Sequence, residues 1–212
     1  MRNGNAAMKL ALILAICLPC VAGFGRVAAR EARPQTAGDT SGRKPLGGNS
    51  IYQLNSRWTD QDGKSTTLGR FQGKPLVLAM IYTSCKDACP MIVVDMQNIE
   101  KALPERIREQ VGFALISFDP AQDTPAQLKR FGSAHGLDTK RWTLLTGSAD
   151  AVRVLAAVLG VRYTKVSNVD FAHSSVITIL DSGGEIRHQQ TGLRKDPGEV
   201  TAVITSLLHS AK

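Results

Sequence analysis

Pro75 to Tyr82 reads PLVLAMIY, an apolar run without a charged residue, and Val111 to Phe118 reads VGFALISF. Neither run alternates apolar with polar residues, so neither fits a strand with one wet face. Both fit central strands buried on two faces, the pattern of a largely parallel sheet covered by helices. Between them, Met91 to Leu103 has Met91, Val94, Ile99 and Leu103 among its apolar positions and reads as a helix. Strand, helix and second buried strand make a βαβ unit, which restricts the chain to an α/β architecture.

The flanking segments extend that unit. Ile51, Tyr52 and Leu54 open a short strand region, and Asp60-Gln61-Asp62-Gly63-Lys64 reads as a hairpin turn. Thr67 is placed to cap a short helical turn over Leu68 to Phe71, which Gly73-Lys74-Pro75 ends. Beyond the second buried strand, a loop from Asp119 leads into a helix with Thr124 as N-cap and Pro125 at its first position. That helix runs to about His135 and stops at Gly136. Trp142 to Leu145 is a short strand, and Ser148 to Leu159 a helix capped by Ser148 and ended by Gly160. Ser174 to Leu180 pairs with Glu185 to Gln190 across the turn Asp181-Ser182-Gly183-Gly184, and Pro197 to Leu208 is a last helix. The expected domain is therefore βαβ followed by ββα around a mixed central sheet.

The N-terminus is of another kind. Arg2 and Lys9 precede an apolar core at Leu10 to Leu18, small residues follow at Ala22 and Gly23, and no acidic residue occurs before Glu31. Residues 1–25 read as a signal peptide or membrane anchor. Residues 26–49 are rich in Gly, Pro, Ser, Thr, Ala and Arg and read as a flexible linker, leaving 50–212 as the folded domain. The expected location is periplasmic, reached through or anchored to the inner membrane by the apolar segment, with the domain working near a membrane. The chain is formally +8. Without residues 1–25 it keeps 24 basic against 18 acidic residues, enough for solubility and weak attraction to anionic surfaces. No basic run is interleaved with aromatics, which argues against nucleic-acid binding. Every apolar helix face can be assigned to one core, so a monomer is expected.

Two of the four cysteines, Cys17 and Cys20, lie in the leader. The folded part keeps only Cys85 and Cys89, in the run Tyr82-Thr83-Ser84-Cys85-Lys86-Asp87-Ala88-Cys89-Pro90. They follow a buried strand and meet the start of a helix, where ligands bind in α/β sheets and the helix dipole favours thiolate. Residues four apart on a helical turn place their Cβ atoms about 5–6 Å apart. Two sulfurs there can grip one ion, and thiolates select soft ions such as Cu(I) or Zn(II). A third ligand is wanted from His135, His173, His188 or His209. His135 and His209 lie near helix ends, His188 is in a hairpin strand, and His173 sits in a loop before the strand at Ser174. Met80, Met91 and Met96 suit core packing better than a thioether site, with Met91 near enough to Cys89 to be a minor ligand candidate.

The cysteine run, Ile116-Ser117-Phe118-Asp119-Pro120 with Asp123-Thr124-Pro125, and Phe171-Ala172-His173-Ser174 together resemble the Sco/SenC family over about residues 50–210. The resemblance implies a thioredoxin-like fold with an N-terminal strand extension. It implies copper, as Cu(I), Cu(II) or both, held by Cys85, Cys89 and His173. It implies a metallochaperone rather than an enzyme, acting on the Cu(A)-bearing subunit of cytochrome c oxidase or on another periplasmic copper protein. Asp87 and Asp119 match acidic positions of the pattern, as outer-shell or docking residues. The chain departs from the pattern at Ala172, where the family often has Asp; Asp170 lies two residues earlier.

Three other activities use the same features. A dedicated thiol–disulfide reductase would use Cys85 and Cys89 as a redox pair, although thioredoxins use CxxC and place a proline where His173 stands. A peroxiredoxin would have Thr three positions before its cysteine, where this chain has Tyr82. A copper or redox sensor would use the same cysteine pair.

Overall fold

The two apolar runs lie at the centre of a seven-stranded sheet in the computed structural model, which describes residues 46–167 and 170–210. All of these belong to one unit, Thr40–Lys212. The strands are β1 (Trp58–Asp60), β2 (Ser65–Thr66), β3 (Leu76–Ile81), β4 (Gly112–Ser117), β5 (Trp142–Gly147), β8 (Val176–Leu180) and β9 (Ile186–Thr191), in the order β2-β1-β5-β4-β3-β8-β9; β6 (Tyr163–Lys165) and β7 (Phe171–His173) form a separate ribbon. β3, β4 and β5 are parallel, while β1 runs antiparallel to β5 and β8 antiparallel to β3. Every residue of β3 and β4 is buried, which is why those runs show no alternation. The edge strand β9 has Arg187 and Gln189 exposed between more buried neighbours, the period of two expected when one face is wet.

Among the described residues, five α-helices flank the sheet: α1 (Ala88–Ala102), α2 (Glu105–Arg108), α3 (Pro125–Ala134), α4 (Ala149–Val158) and α5 (Gly198–His209). α1 and α5 pack on each other and reach β3, β8 and β9, while α3 packs on β5. The capping expectations hold for α3 and α4: Thr124 accepts from the Gln127 amide and Ser148 from the Ala151 amide. Gly136 and Gly160 follow the ends of α3 and α4 with φ of +64° and +65°, a conformation that favours glycine.

Several local expectations are corrected. Ile51–Gln53 is a 3₁₀ turn, not a strand, because the Ser50 side chain accepts from the Tyr52 amide and closes the turn. Thr67 precedes the 3₁₀ turn Leu68–Phe71 but makes no side-chain cap. α1 begins at Ala88, three residues before the apolar pattern, so Cys89 and Pro90 are inside its first turn. His173 lies on β7 rather than in a loop. The expectation of a periplasmic protein, secreted or anchored by its N-terminal apolar segment, is also corrected. No helix among the described residues is long and apolar enough to cross a membrane. The leader, with Cys17 and Cys20, and the linker as far as residue 45 lie outside the described residues.

Candidate metal centre

β3 delivers the chain to the site through Tyr82, and α1 receives it. Thr83 to Asp87 form the connection, with Cys85 partly exposed and Cys89 fully buried. Asp87 occupies the N-cap position of α1 without a side-chain cap. The Cys85 sulfur takes the acceptor role instead, receiving the Cys89 amide at 3.3 Å. The Cys89 sulfur turns inward and accepts from the Tyr82 amide at 3.4 Å. Both thiols are free.

The ribbon brings the imidazole. β6 and β7 pair antiparallel with Tyr163 opposite His173. Phe171 and His173 are two residues apart and so share a face; both rings join Tyr82 and Phe118, with Phe118 5.1 Å and Tyr82 5.8 Å from the His173 ring. His173 Nδ1 lies 3.2 Å from the Ser174 carbonyl oxygen. A carbonyl only accepts, so Nδ1 carries the proton and Nε2 presents a lone pair. That Nε2 is 3.6 Å from the Cys89 sulfur. The two sulfurs and the ring nitrogen lie within 4.8 Å of one another, and they are the one such His, Cys or carboxylate group among the described residues.

A family profile described as SCO1/SenC matches residues 48–209. The chain belongs to the SCO1/SenC family. A SCO1 homologue of Bacillus subtilis (strain 168) is 34% identical over 90 residues, 42% of this chain and 45% of that one. The solved structure of Bradyrhizobium japonicum ScoI with copper bound is 27% identical with a TM-score of 0.62, covering 72% of this chain and 96% of that one. BsSco, described as a member of the Sco family of cytochrome c oxidase assembly proteins with a disulfide switch, has a TM-score of 0.63 over 78% of this chain and 96% of its own; at 23% identity that match speaks to the fold. The Sco neighbours thus agree with the thioredoxin-like α/β architecture.

The donor geometry of this SCO1/SenC chain suits a small soft ion. Donors about 2.0–2.3 Å from a metal in a plane stand roughly 3.5–4 Å apart, so an outer limit of 4.8 Å asks for closure of at most about 1.3 Å. The set has three protein atoms, one short of a closed tetrahedral site. A cavity of about 370 Å³ opens beside Cys85, lined by Tyr82, Ser84, Lys86, Asp87 and Asp170.

The two thiols are electrostatically unlike. Burial raises the Cys85 thiol, but amide donation from Cys89 and Asp87 and side-chain bonds from Cys89 and Tyr82 outweigh it and hold the group below its ordinary value. Burial pushes the Cys89 thiol far up, and the neighbouring Cys85 adds to the rise. Tyr82 is pushed up to about 12, by burial first and by Cys85. Reactivity follows the thiolate. As pH rises through neutrality in the reduced, metal-free protein, iodoacetamide is expected to modify Cys85 first and to leave Cys89 untouched. Peptide mapping after a time course checks this; equal labelling of both thiols at pH 7 contradicts the asymmetry.

The other candidates lie elsewhere. His135 packs on Phe131, His188 is 3.7 Å from Glu199, and His209 bonds the Thr205 carbonyl at the end of α5. Met80 and Met96 are buried in the core. Asp119 is buried beside Asp123 with Oδ2 unpartnered, and burial and Asp123 both raise its acid. The residue that sequence reading missed is Asp123, which it placed in a loop. Its buried carboxylate accepts from the Thr83 amide at 3.0 Å, the Thr83 hydroxyl and the Ser117 hydroxyl, tying the start of the cysteine loop to β4. The available signal was an acidic residue next to the N-cap Thr124, within a motif already singled out.

Proposed function

We propose that Cys85, Cys89 and His173 bind one copper ion as cargo and that the protein delivers it to, or matures, the Cu(A) site of cytochrome c oxidase. The observation that carries this reading is the convergence of two sulfurs and one imidazole nitrogen within 4.8 Å. Thiolates favour Cu(I), and imidazole also supports Cu(II), so both oxidation states can be held. An incomplete shell beside an open cavity lets a partner's ligand enter before the donor's ligands leave, as transfer requires. The copper-bound B. japonicum ScoI lends the same metal to the reading.

The asymmetry of the thiols favours a second reading, a dedicated thiol–disulfide reductase. A partly exposed cysteine with a lowered pKa attacks, and a buried partner four residues on resolves. Copper and the disulfide compete for the same sulfurs. Copper titration of the reduced protein, with thiol counts before and after, separates the two. Copper delivery expects one copper per chain and both thiols protected. A reduced protein that takes up no copper but cycles rapidly with thioredoxin-type partners is a reductase.

A further inference from the structure

Tyr82 touches all three of the residues that the copper reading uses. Its amide donates to the Cys89 sulfur at 3.4 Å. Its carbonyl accepts from the Cys85 amide at 3.4 Å, and the two residues line one cavity. Its ring meets the His173 ring edge-on, 5.8 Å between centroids and 89° between planes. The hydroxyl oxygen also accepts the Phe171 amide at 3.4 Å, and Phe171 lies two residues before His173 on β7. A phenol has one proton to give. With the Phe171 N–H directed at its oxygen, that proton is available to the Cys85 sulfur. Phenylalanine would fill the same space and keep the amide bond to Cys89, so what tyrosine adds here is the hydroxyl and its bond from the Phe171 amide.

We propose that Tyr82 is a positioning residue of the copper site, whose hydroxyl accepts from the Phe171 amide and donates to the Cys85 sulfur. One side chain thereby couples the cysteine loop to the strand that carries His173 and sets how strongly that sulfur donates to the metal. The inference rests on the copper reading above. A hydrogen bond to a coordinated thiolate draws electron density from sulfur, and such bonds tune the potential of copper–cysteine and iron–sulfur centres. Cu(II) depends more on sulfur donation than Cu(I), so the bond favours the reduced ion.

The test is Tyr82→Phe, which keeps the ring and removes the oxygen. Tyr52→Phe is the control, since its hydroxyl is buried without a partner in the 3₁₀ turn Ile51–Gln53. In Tyr82→Phe loaded with Cu(II), the thiolate-to-copper charge-transfer band is expected to move to lower energy. The ratio of Cu(I) to Cu(II) affinity should fall about 5-fold, in line with the loss of one hydrogen bond. In the metal-free protein the Phe171 amide should exchange with solvent faster. Tyr52→Phe should change none of these. A Tyr82→Phe protein with the wild-type band, affinity ratio and Phe171 exchange overturns the proposal. Wild-type protein that takes up no copper defeats the copper reading itself, and Phe171 exchange still decides the tether: faster exchange in the variant upholds it, unchanged exchange overturns it.

Discussion

Cys85→Ala and Cys89→Ala are each expected to abolish tight Cu(I) binding, while His173→Ala mainly weakens retention of Cu(II). A structural four-ligand zinc site binds with about 10–16 kcal/mol, roughly 3 kcal/mol for each ligand, so losing one thiolate costs on the order of 100-fold in affinity. The loss is larger where one sulfur remains, because the chelate is gone as well. The imidazole is a neutral donor, less important to a soft ion than a charged sulfur, and its removal leaves the pair of sulfurs intact. The fold should survive these changes. Cys85 is at the surface of the site, and removing the sulfur of buried Cys89 opens a small void that costs on the order of 1 kcal/mol. Competition titration against a Cu(I) chelator, with thermal melts as a control, measures both. Wild-type Cu(I) affinity in either cysteine variant would falsify the assignment.

The parts of this protein that the sequence declares are those fixed by local rules. β3 and β4 show as uninterrupted apolar runs because both faces of each are covered. The starts of α3 and α4 show because a hydroxyl three residues ahead satisfies an amide that the helix cannot. The ribbon does not show. β6 and β7 have three residues each, too few to display a period, and their pairing is set by rings that meet across the fold. Tyr82 and Phe118 come from separate segments, and their packing against His173 is a tertiary event that no window of sequence reports. Only the family resemblance singles out His173 from the sequence, and only the Ser174 carbonyl sets its tautomer. Asp123 was hidden for the same reason, since its bonds span 40 residues to Thr83. The turn at Ile51–Gln53 is short enough that the Ser50 capping contact decides it rather than propensity, and α2, with four residues, is too short to display a period.

Asp123→Ala is the change outside Cys85, Cys89 and His173 expected to do most damage. It strips the acceptor from the Thr83 amide, the Thr83 hydroxyl and the buried Ser117 hydroxyl. A donor left buried without a partner costs about 1–3 kcal/mol, and water entering the space can satisfy some of them, so a total loss of about 3 kcal/mol is expected. One effect opposes it. Asp123 helps to raise the buried Asp119 acid, and removing that repulsion returns part of the loss. It cannot return most of it, because Asp119 stays buried and burial is the larger cause of its shift. Asp123→Asn keeps a carbonyl acceptor and the side-chain volume and should fall between the two. Thr83 is only two residues from Cys85, so loosening it also frees the cysteine loop. Losing a partner behind the ligands typically lowers metal affinity by about 10–100-fold, and Asp123→Ala should lose about 10-fold in copper affinity even where it remains folded. Denaturant titration and copper competition on the same samples measure the two effects. An alanine variant as stable as wild type, with unchanged copper affinity, would show that the carboxylate neither holds the loop nor supports the site.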